Sequence, residues 1–243
     1  MRKAIFIGAA VVAVAVVTGL GGAYAYFFSG LRSAPKPLAL SPVASSPSAD
    51  ASATATASTD PTGTWKVGQG SLARYRVREQ FAGQTAAHDA VAQTSTIAGS
   101  LTVTRTGSGL TASALQFNVR LADLQSVDQV AGLNVANRDR IVGQALSVSQ
   151  YPDATFQAQA VDVPATIGSG QTVTLTIPGQ LTVHGVTKPV SLDVQLRMSE
   201  GRVQAAGSTS FAMTDFGVQP PQVPITVVQP QVTAEFQLVL VRG

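Results

Sequence analysis

The 243-residue sequence predicts an all-β domain closed as an eight-stranded antiparallel barrel with one helix, preceded by a transmembrane helix and a disordered linker. Three observations predict it. Apolar and polar residues alternate with period two in run after run from Arg74 to Arg242. One stretch alone, near 126–145, departs from that alternation toward helical spacing. The first 62 residues break from both patterns, with an uncharged apolar run followed by a Ser/Ala/Thr/Pro-rich stretch.

Residues 4–28 are 25 consecutive uncharged positions, long enough to cross a bilayer core of about 30 Å. Arg2 and Lys3 precede them, which by the positive-inside bias leaves the N-terminus in the cytoplasm, and Tyr24, Tyr26, Phe27 and Phe28 cluster where an interfacial belt would lie. Residues 1–28 therefore read as a transmembrane anchor or a signal sequence. Ala23-Tyr24-Ala25 has the small-x-small form of a cleavage site, but the apolar run continues beyond it and exceeds a usual signal core, which favours retention. Retention places the protein at the cell membrane, single-pass, with the domain on the extracytoplasmic side; cleavage secretes it. Residues 29–62 hold Ser, Ala, Thr and Pro with little to bury, and 34 free residues would have a root-mean-square reach of roughly 30–35 Å. Residues 63–243 form the domain.

Within the domain each strand has one apolar and one polar face. Tyr75, Val77 and Phe81 alternate with Arg74, Arg76, Arg78 and Gln80. Ile97, Leu101 and Val103 alternate with Ser100, Thr102 and Thr104. Leu115, Phe117, Val119 and Leu121 alternate with Gln116, Asn118 and Arg120. A strand near 154–163 follows. Val173, Leu175, Ile177, Leu181 and Val183 then oppose a threonine-rich face, and Val190 to Met198 repeat the design. Strands at 203–214 and 231–242 complete eight. Gly107-Ser-Gly109, Gly168-Ser-Gly170 and Glu200-Gly201 mark turns. The helix is expected over 126–145, where Ser126-x-x-Gln129 matches a capping box and Val130, Leu133, Ile141 and Ala145 follow helical spacing. Its exposed face would carry Asn134, Asn137, Arg138, Asp139 and Arg140. Eight such strands remove their exposed edges by closing, and a ring of that size is either filled by side chains or holds one slender ligand.

Composition excludes several classes. With no cysteine there is no disulfide frame, thiolate metal site or cysteine nucleophile. The net charge of +3 belongs mostly to residues 1–62, and the remaining basic residues are scattered, so no nucleic-acid footprint is expected. His88 and His184 lack a second histidine at metal spacing, and no nucleophile elbow or phosphate loop is present; the domain reads as no enzyme and without a metal.

Trp65-Lys-Val-x-x-x-Ser71, Val119-x-Leu-x-x-Leu124-x-Ser126, Arg138-Asp139, Tyr151-Pro-x-Ala-x-Phe156, Gly179-x-Leu-Thr-Val-His-Gly-Val-Thr-Lys-Pro-Val190 and Asp215-Phe-Gly217 occur in an order that resembles the YceI-like, polyisoprenoid-binding family. The likeness spans about residues 64–242, and the Gly179–Val190 run is its most specific part. Two positions depart from it: Ala212-Met213-Thr214 lacks the arginine often found ahead of that aspartate, and no His-Leu follows the Arg138 region. The resemblance implies a lipocalin-like barrel, exported, whose apolar channel holds a polyisoprenoid, isoprenoid quinone or related long-chain lipid without any further cofactor.

Candidate ligand-binding residues are the inward-facing Tyr75, Phe81, Leu101, Phe117, Val119, Leu121, Phe156, Leu175, Ile177, Leu181, Val183 and Phe211. Each could instead be core filling, and the resemblance moves the set toward a lining. Arg138 and Arg140 could clamp a phosphate head group, or form a solvated helix face. The partners implied are a long-chain lipid and, through the N-terminal helix, a membrane. The competing readings are an envelope interaction module whose barrel is plugged by its own side chains and, behind it, a lipid- or quinone-modifying enzyme, which would need convergent polar groups with perturbed protonation at the channel mouth.

Overall fold

The computed structural model describes residues 32–41, 60–82, 87–107, 109–130, 135–224 and 226–243. The expected transmembrane segment, 4–28, and most of the linker lie outside these residues. No helix among the described residues is long and apolar enough to cross a membrane.

The strands are β1 (Arg32–Ser33), β2 (Gly63–Val67), β3 (Leu72–Phe81), β4 (His88–Thr94), β5 (Ile97–Thr106), β6 (Gly109–Arg120), β7 (Gln125–Ser126) and β8 (Gln129–Val130). After helix α1 (Val135–Ala145) come β9 (Asp153–Ala158), β10 (Val161–Val163), β11 (Val173–Val183), β12 (Val186–Ser199), β13 (Arg202–Ala212), β14 (Gln222–Val223) and β15 (Thr226–Arg242). Eight of them close an antiparallel ring in the order β13-β12-β11-β9-β6-β5-β2-β15, with β15 returning to β13. The all-β barrel with one helix thus stands as the sequence predicts.

The strand complement differs in detail. β15 pairs with β2 through Leu240–Arg242 and with β3 through Thr226–Gln237, so β2 and β3 share one side of a single 17-residue strand. Its register with β3 slips between Val228 and Val232, across Pro230, which has no N–H to give the ladder. Only β2 continues the ring, onto β5. β3 instead leads to β4, and β4 to β7, so this sheet leaves the ring at one end. β2 is short, and β4 is nearly all buried, with Ala90, Val91 and Ala92 at or below 1% exposure, so neither offers a two-faced alternation. That is why the sequence pattern missed both.

The ring is plugged at its other end. Trp65, Leu110, Val163, Ile167, Val173, Met198, Val203 and Leu240 form one buried cluster there, and the Trp65 indole N–H donates to Pro61 O at 2.8 Å. Two-residue turns build the hairpins on either side of β12: His184-Gly185 and Glu200-Gly201 all have positive φ, the mirror-image turn that suits the twist of paired strands.

The helix is shorter than expected. Residues 125–130 are extended, not helical: Gln125 and Ser126 pair with β4, and Gln129 and Val130 pair with β1. Ser126 caps nothing. Its N–H and hydroxyl both donate to Asp139 Oδ1, at 3.0 and 2.6 Å, which ties α1 to the sheet edge. The capping-box pattern carries no information about such an edge strand, and pairing with β4 satisfies the backbone groups that a longer helix would have satisfied internally.

Residues 32–41, expected to pack against nothing, lie along the outside of the barrel. Their hydrogen bonds go to the polar face of β3, β12 and β15. Extended backbone supplies what apolar side chains do not, because each peptide group brings an acceptor and, proline apart, a donor.

Replacing Trp65 by alanine removes the largest fully buried side chain of the plugged end and its hydrogen bond. The expected cost is about 3–5 kcal/mol, read as a lower urea midpoint with unchanged slope.

Candidate functional site

Between the plugged end and α1 the barrel encloses a cavity of about 510 Å³ with an almost wholly apolar wall. Its size falls inside the range of real ligand pockets. α1 lies across the open end, where Ile141, Val142, Ala145 and Leu146 face the cavity. Ala145 and Leu146 also pack with Met213, Phe216 and Val218 from the turn after β13.

Eleven of the twelve expected apolar residues border this space: Tyr75, Phe81, Leu101, Phe117, Val119, Leu121, Phe156, Ile177, Leu181, Val183 and Phe211. Leu175 does not. It lies opposite Val194 on the inward face but packs against the plugged-end core, which is the filling role. Glycine is demanded at Gly179, where a Cβ would lie 2.4 Å from the Phe156 ring.

The two arginines part company. Arg138 borders the cavity, whereas Arg140 is exposed over a separate groove between α1 and residues 121–124. Positions two apart on a helix do not share a face, so the pair cannot form one clamp. Nor is Arg138 on a solvated face. Its side chain is 14% exposed, its Nη1 lies 2.6 and 2.8 Å from the two carboxylate oxygens of Asp128, and its Nη2 lies 3.2 Å from Glu79 Oε2.

Asp128 is the hub of this cluster. It also meets His88 Nε2 at 2.7 Å and accepts the Val91 N–H at 3.0 Å. Burial pushes its carboxyl up, but the bonds from His88, Arg138 and the Val91 amide win and hold it at about 2. For Glu79 burial wins instead: its carboxyl is raised despite the Arg138 charge. Arg138 is raised, its own burial outweighed by the Asp128 bond and the two carboxylate charges. Burial also raises the Tyr75 phenol, so that it stays a protonated donor beside the cavity.

Glu79, Asp128 and His88 were not among the expected site residues. Glu79 had a legible signal: it occupies the inward phase of Tyr75-Val77-Glu79-Phe81, where a charge needs a partner. Asp128 and His88 had none, since 40 residues separate them and only the fold joins them.

His184, at the β11–β12 turn, holds the open end together. Its ring lies 3.1 Å from Ser147 Oγ and 3.3 Å from Phe216 O, and packs edge-on against Tyr151. Among the described residues no group of three or more His, Asp or Glu is placed to hold a metal ion.

The domain is thus a closed antiparallel barrel with an apolar chamber and a charged cluster of Glu79, Asp128 and Arg138 at its open end. More narrowly, residues 65–240 match the YceI-like domain, and the chain belongs to that family. It is 35% identical over 116 residues to a UPF0312 protein of Shewanella baltica, covering 44% of this chain and 54% of that one. To a UPF0312 protein of Pseudomonas putida it is 32% identical over 119 residues, covering 45% and 55%. The chain thus spans about half the length of the curated relatives it matches. A solved polyisoprenoid binding domain from Saccharophagus degradans, implicated in plant cell wall breakdown, has the same fold at 12% identity, with a TM-score of 0.50 over 75% of this chain and 99% of that one.

Arg138→Met should strand both carboxylates in a poorly solvated place and cost about 3–5 kcal/mol in denaturant unfolding. Acid should separate the two carboxylates. The folded Asp128 sits below its ordinary 3.8, so its contribution of about 2 kcal/mol is complete above that value and is lost as pH falls toward 2. Glu79 has the opposite sign: it sits above its ordinary 4.5, so its charge costs stability near neutrality and the cost fades as pH falls to 4.5. Unfolding free energies measured against pH should show Asp128→Asn flattening the acid limb between about pH 4 and 2, and Glu79→Gln removing the gain just above pH 4.5.

Proposed function

We propose that the domain binds one long-chain lipid of the polyisoprenoid or isoprenoid quinone class, outside the cytoplasmic membrane, and carries, stores or shields it without altering it. The observation that carries this reading is the 510 Å³ apolar cavity with the Glu79–Arg138 pair on its wall at the open end. At about 30 Å³ for each water-sized group, it accommodates roughly 17 methylene-sized units, or a tail of about 15–20 carbons. A barrel plugged by its own side chains, as the interaction-module reading requires, would lack that space.

Electrostatics favour a neutral head group. Two arginines border the cavity, but Arg74 turns its guanidinium to Gln93 and the Lys36 carbonyl on the outer face. Arg138 already answers two carboxylates. A phosphate brought there would meet the Glu79 carboxylate, and among the described residues bordering the cavity both arginines are already engaged. A hydroxyl or quinone oxygen suits the site better: it can accept from Tyr75 or a remaining Arg138 N–H, or donate to Glu79. Apolar burial gains about 0.8 kcal/mol per methylene in a barrel as in a bilayer, so exchange with membrane is nearly balanced and the polar cluster decides selectivity. With residues 4–28 as an anchor, the source of lipid is the membrane the chain itself spans.

Mass spectrometry of organic extracts from the detergent-purified full chain should reveal a long-chain lipid at near-stoichiometric yield. Ala205→Phe, which fills the cavity from its buried wall, should abolish that yield while leaving the fold intact. In competition, geranylgeraniol should displace a bound fluorescent isoprenoid at least tenfold better than geranylgeranyl diphosphate. Extracts free of lipid, or preference for the diphosphate, would refute the reading.

A further inference from the structure

We propose that residues 32–41 form a strap that holds the α1 end of the barrel against the bilayer, so that the cavity opens toward the membrane. The inference rests on the reading of residues 4–28 as a membrane anchor. The strap begins at the open end: β1 pairs antiparallel with β8, Arg32 opposite Val130 and Ser33 opposite Gln129. Gln129 adjoins Asp128, which binds Arg138 of α1. From there the segment crosses the polar face of the barrel. Arg76 Nη2 donates to Pro35 O at 2.7 Å, and Arg74 Nη1 to Lys36 O at 3.2 Å. The Leu38 N–H donates to Glu235 Oε2 at 3.1 Å. Gln237 Nε2 donates to Ser41 Oγ at 3.0 Å, and the Arg197 guanidinium donates to Ser41 O.

Direction follows from the register. The strap meets its partners in an order that steps toward the plugged end: Arg76 opposite Thr233 at mid-ladder, then Arg74 opposite Glu235, then Gln237 opposite Leu72, and finally Arg197 opposite Gln204. The strap therefore runs from open end to plugged end, and the chain arriving from residue 31 reaches the barrel beside α1. Buried charge anchors the crossing: Glu235 is 4% exposed and is paired with Arg76 at 2.8 Å.

Length then fixes distance. Only residues 29–31 separate the uncharged run from β1, and four extended residue steps span at most about 14 Å. A free linker of 34 residues would have let the domain wander over roughly 30–35 Å. Docking the strap removes nearly all of that freedom. It also places α1, not the plugged end, at the membrane surface, so a tail passing α1 crosses little water. The surface that meets the bilayer is the α1 end itself, and its partner is the lipid surface.

The natural chain has no cysteine, so single labels can be placed freely. The full chain is reconstituted in phosphatidylcholine vesicles. A fluorophore at Gln144→Cys on α1 and one at Arg202→Cys at the plugged end, both exposed positions, are compared for quenching by spin-labelled lipid. Quenching should be several-fold stronger at 144, and a 20-residue Gly/Ser insertion after Ser29 should reduce it to the level at 202. A short bis-maleimide should join Ser33→Cys to Gln129→Cys in most molecules. Chains that do not float with vesicles would overturn anchor and strap together. Chains that float but show equal quenching at both labels, no effect of the insertion, or no crosslink would overturn the strap alone. Neither result alters the lipid content of the extracts, on which the binding reading stands.

Discussion

One guanidinium fastens the open end of this barrel. Arg138 leaves α1, meets both oxygens of Asp128 beside β4, and reaches Glu79 on β3. A cavity of about 510 Å³ gives its walls nothing to pack against. Cohesion must therefore come from the two ends. The plugged end supplies it by apolar packing around Trp65, and the open end by charge. The arrangement suits a container, because charged bonds at the rim hold α1 in place without filling the interior.

The split in the sheet explains why a helix is needed. Where β3 and β4 leave the ring, eight strands no longer close on themselves, and the inward faces of Tyr75, Val77 and Phe81 would meet water. α1 covers them with Ile141, Val142, Ala145 and Leu146. Two further ties, Ser126 with Asp139 and His184 with Ser147, hold the two ends of the helix region to opposite sides of the mouth. The polar cluster is thus structural first, and it meets the cavity through Glu79 and Arg138.

Period-two alternation made most of the barrel legible in the sequence, because a strand with one wet face must alternate. It placed eleven of twelve apolar lining residues on the cavity wall, and the one failure, Leu175, shares the inward face but sits where the barrel is filled. Alternation cannot tell lining from filling, since both are apolar and inward. β4 escaped notice because it is covered on both faces, so His-Asp-Ala-Val-Ala-Gln-Thr shows no period. The helix start was misplaced because Ser126-x-x-Gln129 is compatible with both a cap and an edge strand, and pairing with β4 chose the latter. Arg138 was singled out for charge alone. Of its partners, Asp128 lies ten residues before it with nothing in the pattern to mark it as buried, and Glu79, 59 residues away, was marked only by its place on an otherwise apolar phase. The docking of residues 32–41 was hidden for a related reason: it uses backbone groups, which every sequence has.

β15 carries a consequence for biogenesis. It alone touches β13, β2 and β3, and it is the last strand of the ring in chain order. Until it arrives β13 and β2 have no neighbour on that side, so a chain emerging progressively during synthesis cannot seal its chamber before its final segment is delivered. Such distant pairing is slow to form and leaves sticky edges uncovered meanwhile. The nascent domain would spend that interval as an open sheet, with its future lumen accessible from the side.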